Sequence, residues 1–304
     1  MEKIHKIFHH LTLWRKWTKG SINRQIFTAT IIIGLFTGLS KFASVGKELV
    51  VAWRFGTGDE LDSFVMAMVI PSFITNVVAG SFSSALIPTY IKVREQEGKG
   101  AAEQLFSSIM TRAIGLLIVS AIAIAITAPI YLPLLASGFS VEKLGLTTRL
   151  LCLLSPSILL FGIINIWGGV LNAGEKFALA AISPVITPLV TAIILFACPN
   201  LGIYALVVGL ICGSFIEMIV LGIGLLKQGL KIRPQWSKRE ANLDLVTRQY
   251  FPVIVGAFLM CSTGLVDQSM AAMLSPGSVA ALGYVNRVIA LSLSLVTLAL
   301  GTAV

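Results

Sequence analysis

Eight stretches of about 20 mostly apolar residues follow one another along this chain, near 26–53, 62–91, 113–136, 148–171, 177–198, 202–226, 249–274 and 280–304. That length matches the hydrocarbon thickness of a bilayer, where every backbone N–H and C=O must be satisfied inside the protein. The pattern predicts an all-α polytopic membrane protein. Composition agrees, since only 12% of residues are charged, against about 25% in a soluble domain. Pro71, Pro156, Pro184 and Pro188 fall within the spans. Proline frees a helix carbonyl, which a bilayer tolerates only where a neighbouring helix or wet cavity takes it up.

Charge placement orients the spans. Of the 23 Lys and Arg, 17 lie in the N-terminal arm and in the second-to-third, fourth-to-fifth and sixth-to-seventh connections. Only Arg54, Lys143 and Arg149 lie on the other side, and Lys41, Lys47 and Arg287 fall within the spans. The positive-inside rule puts the N-terminus in the cytoplasm. The net charge of +9 mostly reflects this bias and does not indicate nucleic acid. Residues 1–25 are too charged for a cleavable signal. They form a basic cytoplasmic arm in which Ile4, Ile7, Phe8, Leu11, Trp14 and Trp17 recur at helical spacing. The arm fits an inner-surface helix or a disordered topogenic tail.

The first span is unusual. Thr37, Ser40, Lys41, Ser44, Lys47, Glu48 and Arg54 fall within an arc of roughly 140° on a helical wheel. A charge at the centre of a membrane helix costs roughly 2.5–3.5 kcal/mol, so such residues usually face an internal cavity. This face suits an anion.

Residues 227–248 form a polar cytoplasmic linker. They divide a six-helix transmembrane lobe, 26–226, from the start of a second lobe, 249–304, that has two helices. An even helix number makes a second copy parallel to the first, related by an axis along the membrane normal. A shift of 219 residues places Gly58 on Gly277 and Glu48 on Asp267. A two-lobed transporter would need about four more helices, so a partial chain is expected.

The chain has no HExxH, GxxxxGK[ST] or GxSxG motif, which leaves zinc hydrolysis, P-loop ATPase and serine hydrolase chemistry unsupported. An enzyme is not expected. Cys152, Cys198, Cys212 and Cys261 are scattered and read as single thiols.

The chemistry-bearing candidates are therefore charges within the spans. Arg287, in GYVNRVIA, needs a partner at membrane depth. Phosphate suits its planar fork, and a structural pair with Glu48, Glu217 or Asp267 is the alternative. Lys41 and Lys47 on the cavity arc favour an anionic substrate held by all three cations. Asp62 is either a helix-start acid favoured by the dipole or an outer gate pairing with Arg54. Asp267, beside Thr263 and Ser269, suits Na⁺ or a proton relay, and a salt bridge to Arg287 or Lys41 competes. Glu217, in GSFIEMIV, reads as a structural hydrogen-bonding group.

Several segments resemble a known family, the MurJ/MviN lipid II flippases of the multidrug/oligosaccharidyl-lipid/polysaccharide exporter superfamily. They are SKFASVGKELVVAWRFGTGDELDSFVMAMVIP, AGSFSSALIP, LNAGEKFALAAISPVITP and LVDQSMAAMLSPGSVAALGYVNRV followed by ALGT. The resemblance runs from about residue 26 to 304. It implies a bacterial cytoplasmic-membrane flippase that carries a lipid-linked sugar pyrophosphate outward by alternating access. Cell-wall or polysaccharide biosynthesis proteins are implied partners. Lys41, Lys47 and Arg287 are implied as cavity residues handling the pyrophosphate, with Asp62 as the acid after the FGxG turn. Asp267 matches an acid of a sodium site in some members.

The departures concern the same cavity. Lys41 and Lys47 stand where the family usually has arginine. Thr75 or Asn76 stands at a further basic position, and Ala79-Gly80 precedes Ser81 where the family has an acid. An exopolysaccharide or O-antigen lipid intermediate is therefore an alternative substrate to lipid II. A cation-coupled drug exporter or a non-functional fragment are further alternatives.

Overall fold

The computed structural model describes residues 22–174, 176–230 and 241–303. The described residues form long helices without strands. In chain order these are α1 (Ile22–Phe55), α2 (Asp59–Ile74), α3 (Gly80–Gln96), α4 (Lys99–Leu135), α5 (Val141–Ala173), α6 (Phe177–Ile182), α7 (Ile186–Ala197), α8 (Tyr204–Lys227), α9 (Ala241–Ala272) and α10 (Ser278–Ala303). A π-helical turn, Thr75–Ala79, joins α2 to α3, and a 3₁₀ turn, Ser183–Val185, joins α6 to α7. The result is eight rods that follow the eight apolar runs. Among the described residues, six stretches are long and apolar enough to cross a membrane. In α1, Lys41, Lys47 and Glu48 interrupt the apolar run.

The rods extend past the apolar runs. The third begins at Lys99 rather than near 113, and the fourth at Val141 rather than near 148. Hydropathy marks the hydrocarbon core, whereas the helix continues into the polar interface. The stretch read as a basic second-to-third loop is mostly helix, and only Glu97 and Gly98 separate α3 from α4. Gly98 has φ +91°, a left-handed conformation that suits glycine in so tight a turn. Part of the expected linker is also helical, since α9 starts at Ala241. The amphipathic arm lies outside the described residues. Proline acts unequally. Pro184 sits in the 3₁₀ turn that splits the fifth rod, and Pro71 lies one turn before the π turn, whereas α5 runs unbroken through Pro156.

Two apolar clusters stack along the rods. One, towards the face that charge bias assigns to the outside, gathers Leu61, Met66, Leu132, Leu150, Leu154 and Leu206. The other gathers Leu86, Phe106, Ile109, Ile166, Val170 and Leu225 towards the opposite face. The α7–α8 pair packs through its backbones. A Cβ on Gly209 would lie 2.8 Å from the Thr191 Cα, and one on Gly213 2.8 Å from the Thr187 Cα. Helices in lipid gain by close van der Waals approach, which small residues four apart permit. Gly213→Val is therefore expected to destabilise the lobe by about 1–3 kcal/mol, read as a lower unfolding temperature in detergent, while Gly38→Val, with open space around it, should change little.

The helices after the linker lie against the first lobe. α9 packs on α3, α2 and the π turn, and α10 packs on α2, α9 and α1. The shift that aligns Gly58 with Gly277 also aligns the helix starts Asp59 and Ser278.

Candidate functional site

A cavity of 730 Å³ lies between the first lobe and the two later helices. Apolar side chains of α2 and α9 form much of its wall, including Phe64, Met68, Phe73 and Met260. Its charged side chains are Lys47 from α1 and Arg287 from α10. Lys47 lies eight residues, about 12 Å, before the last residue of α1, and Arg287 nine residues, about 14 Å, past the first of α10. Both are thus well inside the spans.

Glu48 joins the two cations. Its Oε1 is 2.5 Å from the Lys47 ammonium, and its Oε2 accepts from the Arg287 guanidinium. Of the three partners offered to Arg287 by sequence, the structure selects Glu48. The cations are not free of fixed anions, yet one carboxylate against two cations leaves the cluster one charge positive. Lys41 is half-buried on α1, six residues, about 9 Å, nearer the opposite end. It is not among the cavity's lining residues, so the structure brings together two of the three expected cations. Asn76, on the π turn, does line the cavity. A π turn turns the following residues to a new face. Of the two residues offered for a further basic position, Thr75 and Asn76, it is Asn76 that presents its amide to the cavity.

The end that charge bias assigns to the outside is tied by a knot centred on Asp62, whose side chain is 1% exposed. Asp62 Oδ1 accepts from the Ala280 N–H at 2.7 Å. Its Oδ2 accepts from the Gly277 N–H and from the Lys143 ammonium, both at 2.7 Å. Lys143 also donates to Asp59 at 2.6 Å and stands 4.1 Å from the Phe139 ring centroid. The N–H groups at the start of α10 have no partner within their own helix, so a carboxylate there meets both unsatisfied donors and the positive dipole end. One acid of α2 therefore caps α10. At Gly277, φ is +90°, and a Cβ would strike the Thr57 carbonyl, so glycine lets the two turns close together.

Of the two readings of Asp62, the structure places it in the first turn of α2 as a helix-start acid, and the alternative pair with Arg54 does not form. Arg54 donates to the carbonyls of Leu195 and Pro199 at the end of α7, where a cation meets unpaired carbonyls and the negative dipole end. Asp62 instead takes Lys143, which sequence reasoning counted only as an outer-side charge. A signal was present: Asp59, Glu60 and Asp62 open one helix, and only three basic residues lie on that side.

Asp267 is exposed on α9. The two hydroxyls expected to flank it bond within their own helix, Thr263 to the Met260 carbonyl and Ser269 to that of Leu265. Among the described residues no group of three or more His, Cys, Asp or Glu could hold a metal ion. The four cysteines are free thiols.

Long helices packed around a charged cavity at membrane depth, tied at one end by a buried acid, define an all-α transporter fold. Comparison with known proteins is more specific. The family model described as Lipid II flippase MurJ matches residues 51–304, and the chain belongs to this family. A lipid II flippase MurJ of Burkholderia cenocepacia is 26% identical over 289 residues, which are 91% of this chain and 56% of that protein. A probable lipid II flippase MurJ of Vibrio cholerae is 24% identical, covering 93% of this chain and 57% of the relative. The chain thus spans little more than half the length of the curated relatives it matches. A solved lipid II flippase MurJ in an inward closed conformation superposes with a TM-score of 0.72 at 22% identity, covering 86% of this chain and 55% of that one.

Proposed function

We propose that this chain supplies the first lobe and the opening helices of the second lobe of a flippase. Its substrate is an undecaprenyl-pyrophosphate-linked sugar, with lipid II ranked first, carried from the cytoplasmic to the outer leaflet. The observation that carries this reading is the pair Lys47 and Arg287, from the two lobes, in one cavity and bridged by Glu48. A diphosphate can take the place of the Glu48 carboxylate between the two cations, since it offers more oxygens and more charge. In this reading Lys41, six residues before Lys47 on α1, meets the anion before it reaches the cavity. Asp267 is the coupling acid for Na⁺ or H⁺. A potential negative inside drives an anion outward by roughly 2.3 kcal/mol per charge per 100 mV.

The positive-inside bias supports a cytoplasmic N-terminus in a bacterial inner membrane. The Asp62 knot then lies at the outer face, and alternating access requires that it open. An exopolysaccharide lipid intermediate is the second reading, favoured by Lys at positions 41 and 47 and by Asn76, because a lysine holds phosphate as a point charge without arginine's fork. A cavity with net positive charge disfavours a cationic drug.

The test is exposure of the lipid-linked sugar at the outer face of cells carrying a full-length version. The double variant Lys41→Ala, Lys47→Ala should lower exposure at least tenfold, and normal export by it would overturn the site.

A further inference from the structure

Glu217 lies 13 residues, about 20 Å, into α8, at the waist between the two apolar clusters, and is 5% exposed. None of the four ion pairs among the described residues involves it. Its Oε2 accepts from the Thr187 hydroxyl at 2.6 Å. The carboxylate sits at the end of the stripe Gly209, Gly213, Glu217, and it is Gly213 that lets Thr187 approach so closely.

The elements packed on α8 are α5, α6, α7 and the two 3₁₀ turns, Ser183–Val185 and Pro199–Leu201. On α7 and the turns there is no Asp, Glu, Lys, Arg or His. Before α6 stands Lys176, at the opposite end of the span. On α5 the titratable groups are Glu142, Lys143, Arg149 and Cys152. The Trp167 ring lies against Gly222 and Gln228 against Gly174, so the two helices run parallel and Gly162 is level with Glu217. Arg149 is then 13 residues, about 20 Å, nearer the outer face, and it is exposed, as are Glu142 and Cys152. Lys143 is farther still and is committed to Asp59 and Asp62. On α8 itself, Cys212 and Lys227 are exposed and Tyr204 is at the outer end. No described cation faces the Glu217 carboxylate.

A buried carboxylate without a cation is costly when ionised, and neutralising it takes only a proton. The surroundings can serve both forms. When ionised, Glu217 accepts from Thr187, as the structure shows. When protonated, the carboxyl O–H donates to the Thr187 oxygen, and the Thr187 hydroxyl needs another acceptor. Pro188 has no N–H, so the Pro184 carbonyl four residues back receives no helix bond from it. That carbonyl is three residues before Thr187, within reach of a threonine hydroxyl on a helix. We infer that Glu217 is a proton-binding site of the first lobe, with Thr187 and the Pro184 carbonyl forming a two-state hydrogen-bond relay that accommodates both the charged and the neutral acid.

Proton binding stands apart from transport, and only its use as a coupling ion rests on the flippase reading. The test is difference infrared spectroscopy of the full-length protein in liposomes, titrated across about pH 4 to pH 10. A carboxylic C=O band should appear as pH falls, be absent in Glu217→Gln, and move to higher wavenumber in Thr187→Val, which removes the hydroxyl partner. Glu217→Asp, which keeps the acid, should retain a titrating band and guards against misfolding of the Gln variant. A wild-type titration in which Glu217→Gln removes no band would overturn the site. Where the protein transports, the Gln variant should flatten the pH profile of transport. A proton band in a protein that moves no lipid would leave the site standing and sink the flippase reading.

Discussion

Asp62→Ala is expected to open the face of the protein that charge bias assigns to the outside. The substitution removes three charge-assisted bonds at once, to the Lys143 ammonium and to the Gly277 and Ala280 N–H groups. It leaves Lys143, whose side chain is 9% exposed, with Asp59 alone, and it leaves the start of α10 uncapped. Breaking a buried pair on one side costs about 3–5 kcal/mol, because the remaining charge loses its compensation. Taken at the low end, about 3 kcal/mol moves a closed–open equilibrium by roughly 100-fold. Ala272 is 2% exposed and its carbonyl packs on Gly138, so it reports on this closure. In a full-length version with no other cysteine, Ala272→Cys should resist a membrane-impermeant maleimide in the parent and react rapidly when Asp62→Ala is added. Equal protection in both backgrounds would show that the knot does not hold the outer face shut. Asp62→Asn, which keeps the shape and can still accept from an N–H, should fall between them.

The same knot shows where sequence reasoning reaches and where it stops. The rods were legible because a membrane helix advertises itself by length and apolarity alone, and the 219-residue shift that matches Gly58 with Gly277 also matches the starts of α2 and α10. Rod ends were misjudged by up to 14 residues at Lys99, since helix continues into the interface where hydropathy no longer differs from that of a loop. Lys47 and Arg287 could be named as cavity cations because charges within spans are rare. Their partner was harder. Glu48, Glu217 and Asp267 were equivalent candidates for Arg287, and only the packing of α10 on α1 and α2 distinguishes them. Lys143 was invisible for the opposite reason: a lysine near a membrane surface usually faces water, and nothing local to α5 says that α2 lies beside it. Arg54 and Asp62 are close in sequence and opposite in sign, yet they point to different neighbours. Pairing by proximity along the chain fails where a short turn sends two helices in opposite directions.

Arg287→Ala should abolish transport, with a loss of about 100-fold or more. Arginine holds a phosphate through two parallel bonds, and hydrogen bonds to charged groups contribute about 1.5–3 kcal/mol each. Without it Glu48 neutralises Lys47 completely, and the cavity passes from one net positive charge to none. Arg287→Lys keeps the charge but loses the fork, so it should retain partial function, reduced roughly tenfold. Glu48→Gln works in the other direction. It releases both cations and should tighten binding of a diphosphate while slowing its release, so that affinity rises as turnover falls. Complementation of a strain depleted of its own lipid II flippase reads the series, using full-length protein with membrane insertion checked for each variant. Rescue by the parent, weak rescue by Arg287→Lys and none by Arg287→Ala would tie lipid II to this cation. A well-inserted parent that fails to rescue would move the substrate to another lipid-linked sugar. Rescue undiminished in Arg287→Ala would remove the phosphate from this cavity altogether, because Lys47 held by Glu48 carries no spare charge to bind it.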